Sequence, residues 1–296
     1  MSFTTSSAYY TPQPLAELLV SMVPLRRVQR VLDLCVGSGN LLAAARSKWP
    51  STKLVGVDIE QGAITECRKR FSEQAIFLQG DATVLEADFG SCVYDDLVSR
   101  TYDVVLANPP FVKANSNRQI APDLSSCNGI ELPQHWDLLS RRTEAVCLVH
   151  NVLRVRDGGY LAAIVPNGIL SCDRFLSLRK WLLAQTNHVT IVRLPQRAFA
   201  NTEVSAAALV LRKTPKLHPN TSCRLTLQEA TTSGNRFARK TLYEGDINGP
   251  TFRLDTGQLS YQVRWPQPWQ QPRRALGRHV SFVKRGGSYS QNTFRQ

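Results

Sequence analysis

Short apolar runs of strand length alternate with helix-forming stretches through the first two thirds of this chain. That alternation restricts it to βα units around a mainly parallel sheet. Val31-Leu32-Asp33-Leu34 is the first clear run, followed by Gly37-Ser38-Gly39 and then Asn40-Leu41-Leu42-Ala43-Ala44-Ala45-Arg46, a strong helix former whose amino end faces the glycine turn. Lys53-Leu54-Val55-Gly56-Val57 predicts a second strand closing at Asp58, with a helix from about Gln61 to Arg70 behind it. Ile76-Phe77-Leu78-Gln79-Gly80 leads into Asp81, and Tyr102-Asp103-Val104-Val105-Leu106-Ala107 delivers Asn108-Pro109-Pro110-Phe111. Four successive strands therefore end on polar groups, at the rim where open α/β sheets bind ligands.

Neighbouring strand ends in such a sheet lie about 4.8 Å apart, so one extended ligand can touch them all. Gly37 and Gly39 let a ligand pass close to the backbone, Asp58 can bind two ribose hydroxyls, and Asp81 can accept from an adenine amino group. Leu42 stands where a dinucleotide-binding turn has its third glycine, and no Walker lysine follows, so S-adenosylmethionine fits better than a dinucleotide or a triphosphate. Asn108-Pro109-Pro110-Phe111 adds a second chemistry. Its two prolines fix an extended turn and remove two N–H donors, leaving the Asn108 side-chain oxygen and a proline carbonyl as acceptors for one planar NH2 group, with Phe111 as a stacking face. The alternatives are a site for a conjugated amine or a polar turn after a core strand.

Composition bounds the class. At 296 residues and 43% hydrophobic content the chain can bury a large core. It has no apolar run approaching the ~18 to 20 residues of a membrane span, and its polar N-terminus has no export signal. Its seven cysteines include no C-x-x-C pair, and His135, His150 and His188 lack metal-ligand spacing. Reduced thiols, a cytoplasmic location and no metal site are expected. Residues 216–296 carry 13 Lys and Arg against 4 Asp and Glu, so +9 of the whole chain's +13 lies there, interleaved with aromatics. The chain thus divides into an α/β unit over residues 1–214 and a basic extension over 215–296. The extension suits a phosphate backbone, or forms a small basic domain with an aromatic core. The polar loop from Lys113 to Gln134 is long enough for a functional lid or for a plain surface loop.

The order Tyr10-Thr11-Pro12, Asp33-x-x-x-Gly37-Ser38-Gly39, Val57-Asp58, Gly80-Asp81, Asn108-Pro109-Pro110-Phe111 resembles the gamma-group adenine-N6 DNA methyltransferases of restriction-modification systems. Leu153 to Gly168, Phe175 to Leu183, Leu194-Pro195-x-x-x-Phe199 and Val204 to Lys213 continue the likeness over residues 8 to 214. Leu276 to Phe282 resembles the start of that family's target-recognition domain. Leu34-Cys35-Val36 departs from the family's Pro-Ala-Cys, keeping the apolar strand but changing cofactor-facing contacts.

The resemblance implies a Rossmann-like methyltransferase fold, with a mostly parallel sheet, helices on both faces and a C-terminal antiparallel hairpin. It also implies methyl transfer from S-adenosylmethionine to N6 of a flipped-out adenine in DNA. Tyr10, Thr11, Asp33, Gly37, Gly39, Asp58, Asp81 and Asn108 are then expected to hold the cofactor. Asn108, Pro109, Pro110 and Phe111 would take the base, with Phe199 on its other face. An incomplete recognition domain implies a specificity subunit or a downstream domain as a further partner. Two alternatives stand beside this reading. One is a methyltransferase on another planar amine, a protein glutamine amide or an rRNA guanine N2; the other is a non-catalytic DNA-binding scaffold.

Overall fold

The computed structural model of the protein describes residues 10–71, 73, 75–83, 101–111, 132–195, 198–199, 205–214, 223–234 and 236–247. The expectations for residues 113–131 of the long loop and for the basic tail from 248 onward lie outside the described residues. The elements run α1 Gln13–Ser21, β1 Arg30–Asp33, α2 Asn40–Lys48, β2 Lys53–Asp58, α3 Gln61–Phe71, β3 Ala75–Gln79, β4 Tyr102–Ala107, α4 Trp136–Leu139, α5 Thr143–Arg154 and β5 Val155–Pro166. They continue with α6 Asn167–Ser171, a 3-10 turn at Asp173–Phe175, α7 Leu176–Ala184, β6 Thr186–Arg193, β7 Ala206–Lys213, β8 Cys223–Ser233 and β9 Arg236–Ile247.

The strands form one sheet in the order β3-β2-β1-β4-β5-β7-β6-β8-β9. From β3 to β5 every pairing is parallel, and β7 then enters antiparallel between β5 and β6. The chain moves outward from β1 through β2 to β3 and returns to place β4 on the other side of β1. This reversal opens a crevice at the carboxyl ends of β1 and β4, where neither crossover covers the rim.

Successive residues of the central strands face two separate cores. Val31, Val104 and Ala162 point into one, built with Leu15, Leu19, Leu42 and Ile64 of α1, α2 and α3. Leu32, Val105 and Leu161 point into the other, with Leu148, Val149 and Val152 of α5 and Leu178 and Trp181 of α7. Burial on both faces is why these strands read as continuous apolar runs. Each fully buried Leu or Val contributes about 1.5 to 3 kcal/mol.

At the amino ends of the strands, Asp103 of β4 ties three strands together. Its Oδ2 accepts from the backbone N–H groups of Gln29 and Arg30 at 2.8 and 2.9 Å, and its Oδ1 accepts from Arg156 Nε on β5 at 2.6 Å.

The sheet does not stop at residue 214. β8 lies parallel to β6 over His188–Arg193, and β9 returns antiparallel to β8. Cys223, Leu225, Leu227 and Ala230 are buried, while Phe237 packs against the core that holds α1. This hairpin falls within the stretch that composition sets apart, yet it is hydrogen-bonded into the sheet. Among the described residues no helix is long and apolar enough to cross a membrane.

Candidate functional site

β1 ends at Asp33, and the chain turns through residues 35–39 into α2. Cys35 N donates to Asp33 Oδ1 at 3.0 Å, Val36 N to the Val57 carbonyl at 2.9 Å, and Gly39 N to the Val36 carbonyl at 2.8 Å. The turn needs left-handed backbone twice, with φ of 50° at Gly37 and 78° at Gly39. Space excludes side chains there as well. A Cβ on Gly37 would lie 2.7 Å from the Tyr10 ring, and one on Gly39 would lie 2.9 Å from the Phe71 ring. Tyr10 therefore lies over the turn, and Thr11 is held beside it because Asn40 Nδ2 donates to the Thr11 carbonyl at 2.8 Å.

Asp58, at the end of β2, is hydrogen-bonded to this same turn. Its Oδ2 accepts from Gly37 N at 2.7 Å and its Oδ1 from Glu60 N at 3.0 Å, and each oxygen keeps a further lone pair. Gly80 N donates to the Asp58 carbonyl at 2.8 Å, which draws Asp81 to the same rim. Asp81 Oδ1 accepts from the N–H and the hydroxyl of Thr83 at 2.8 and 2.6 Å. Ile59 follows Asp58 and is 52% exposed, an apolar side chain open at the rim.

Asp33 is 0% exposed, and its Oδ2 has no hydrogen-bond partner among the described residues. Burial pushes its pKa up to about 7, although the Cys35 N–H works against the rise. A buried oxygen without a donor beside a glycine turn suits a ligand that brings a cationic or N–H group. Burial also raises the Tyr10 hydroxyl, with Asp58 next in effect. Cys67 donates its thiol to the Gly37 carbonyl at 3.3 Å and is pushed up to about 11, chiefly by burial, so it stays an un-ionised packing thiol.

Asn108 follows β4, and the register that sets Asp33 beside Leu106 puts it just beyond Asp33 across the crevice. Asn108 is half-buried, Pro109 buried and Pro110 exposed. Phe111 packs against the core of α1 and α2, and Phe199 is a buried member of that same core at 5% exposure. Because β6 runs parallel to β5 and β7 antiparallel, the connection carrying Phe199 leaves the sheet at the rim of Asn108.

Tyr10, Thr11, Asp33, Gly37, Gly39 and Asp58 thus meet at the turn between β1 and α2, with Asp81 and Asn108 on the adjoining strand ends. Sequence reasoning missed Asn40, Cys67, Phe71 and Ile59. Of these only Ile59, a large apolar residue directly after a strand-ending carboxylate, carries a local signal.

The N-6 DNA Methylase family model matches residues 3–249. Among curated proteins, the ribosomal protein uL3 glutamine methyltransferase of Bradyrhizobium diazoefficiens is 32% identical over 96 residues, 32% of this chain and 28% of that protein. Among solved structures, the type I restriction-modification system methyltransferase subunit from Streptococcus thermophilus superposes with a TM-score of 0.59 at 20% identity, over 79% of this chain and 51% of that one. The type I restriction enzyme EcoKI M protein gives 0.53 at 17%, over 78% and 50%. At these identities the structural likeness is one of fold. The chain spans less than half the length of these curated relatives and about half of either subunit.

Proposed function

The chain belongs to the N-6 DNA methylase family, and from that membership we propose that it transfers a methyl group to the N6 of adenine in DNA. The family match carries this reading, because it runs through the Asn108 rim and on into the β8–β9 hairpin. When bound, S-adenosylmethionine supplies a methyl group on a sulfonium, a donor that needs no metal. Asp58 takes the ribose hydroxyls with its free lone pairs, and Asp81 takes the adenine amino group of the cofactor. Asp33 Oδ2 meets the one cationic amine that such a ligand carries. The glycine turn under Tyr10 leaves room for the ligand close to the backbone.

The acceptor amine is conjugated with its ring and weakly nucleophilic. Asn108 Oδ1 and the Pro109 carbonyl accept its two hydrogens and localise the lone pair toward the methyl carbon. With the cofactor bound, transfer to N6 would leave the C–S electron pair on sulfur and release the surplus N6 proton to water, while Asn108 and Pro109 hold the amine in place. Phe111 stacks on the extruded base and offsets part of the few kcal/mol that flipping costs. Phe199 covers the other face only if its segment moves out of the core. DNA is the polymer partner, and discrimination among sequences falls to a specificity subunit or a recognition domain.

The glutamine methyltransferase match favours a second reading, a protein amide as acceptor, but it covers only a third of the chain. One assay separates the two. DNA from cells expressing the chain, digested and scored by mass, should contain N6-methyladenine, and Asn108→Ala should lower it by about 100-fold or more. Calorimetry should find cofactor affinity largely intact in that variant. Unmethylated DNA alongside a methylated glutamine would sink the proposal.

A further inference from the structure

A second cleft, of about 610 Å³, opens at the amino ends of β1 and β2, on the rim opposite Asp33 and Asp58. Its lining carries five cations, Arg26, Arg27, Arg30, Lys48 and Lys53, and no carboxylate. Lys48 is engaged, its ammonium donating to the carbonyls of Val20 and Val23 and lying over the Trp49 ring. Among the described residues no carboxylate pairs with Arg26, Arg27, Arg30 or Lys53. Asp103, the acid whose oxygen meets the Arg30 backbone, is already committed to two N–H groups and to Arg156. Arg239 of β9 adds like charge. After burial, its charge is what lowers the Lys48 pKa.

Uncompensated charge of one sign in a concave site concentrates counter-ions, and its natural occupant is a row of phosphates rather than a single anion. β2 separates this cleft from Asp58 by five residue steps, roughly 17 Å at ~3.3 Å each, so the base-binding rim cannot explain it. We propose that the cleft holds a nucleic-acid phosphate backbone away from the target base, as a second, sequence-independent anchor. The choice of polyanion rests on the proposed DNA substrate; the charge and its location do not.

The test compares the full chain with an Arg26→Glu/Arg27→Glu/Lys53→Glu variant. Fluorescence anisotropy with a random-sequence duplex is followed over a range of salt. Each lost phosphate contact flattens the log affinity against log salt slope by about 0.9, so the variant should lose roughly two to three units of slope. Its affinity should fall about tenfold or more near 0.1 M salt, while calorimetric binding of S-adenosylmethionine stays unchanged. Saturating DNA should also slow acetylation of Lys53 in the parent. An unchanged slope overturns the proposal, as does a Lys53 protected by polyglutamate but not by DNA, which would mark an acidic protein surface as the occupant. Loss of cofactor binding in the Asn108 experiment would leave this result standing, so the two ideas fail separately.

Discussion

Asp33 carries an electrostatic cost at the rim, because its carboxyl is fully buried. Its pKa in the fold is about 7, against ~3.9 for an unfolded aspartate. Between those values the folded chain holds a proton that the unfolded chain releases. Stability contributed by this group is therefore present at low pH and lost as pH rises from about 4 through 7, by up to roughly 4 kcal/mol. Asp33→Asn removes that penalty. In urea titrations the variant should gain about 1 to 3 kcal/mol over the parent at pH 8 and nearly nothing at pH 4, while cofactor binding weakens. An advantage of equal size at both pH values would show that the carboxylate is solvated. The sequence marked Asp33, Gly37, Asp58 and Asn108 because strand ends and glycine turns leave local signatures. It could not show that Asp33 is the buried, half-satisfied member, since its burial is set by the tertiary packing around β1 and not by any local pattern.

At the scale of elements, α5 is the helix most enclosed, with Thr143 through Leu153 all buried. His150 on it donates Nδ1–H to the Ala82 carbonyl at 2.8 Å, and burial pushes its pKa down to about 4. The unfolded chain takes up a proton on this histidine below ~6.5. The resulting stability is complete at pH 7 and is lost as pH falls through 6.5 toward 4, opposite in sign to Asp33. His150→Gln should be less stable than the parent at pH 7, with the gap closing by about 2 to 3 kcal/mol at pH 4.5. A gap independent of pH would mean that the imidazole charges freely in the fold. The first strands of the sheet were legible for a reason. β4 is read from the sequence at its observed bounds and β2 within a residue of its own, because burial on both faces fills each with apolar residues; β3, read within a residue as well, lies at the sheet edge with Ile76 exposed. β8 and β9 were not legible. The turn end of that hairpin is exposed and basic, so Arg236, Arg239 and Lys240 looked like part of a charged tail, and no local pattern revealed that β6 needed a neighbour.

For the whole molecule, that hairpin makes the boundary at residue 214 a testable matter. A chain cut after Thr214 would expose the β6 edge and uncover four apolar side chains of β8, a loss on the order of 5 kcal/mol or more. It should aggregate or melt well below a chain cut after residue 249, as followed by circular dichroism. Equal melting temperatures would show that the sheet is complete without the hairpin. A sheet covered on both sides raises a further question, which is what tells its strands where to stop sliding. When both faces are greasy, a strand displaced by one residue exchanges one core for the other and meets no water, so solvent gives no error signal. Asp103 supplies the missing ruler. It can grip Gln29, Arg30 and Arg156 together in one alignment, and a slip of a single step would carry Asn108 about 3.3 Å out of level with Asp33. The carboxylate at the far rim is thus the gauge mark from which the Asn108 rim is measured.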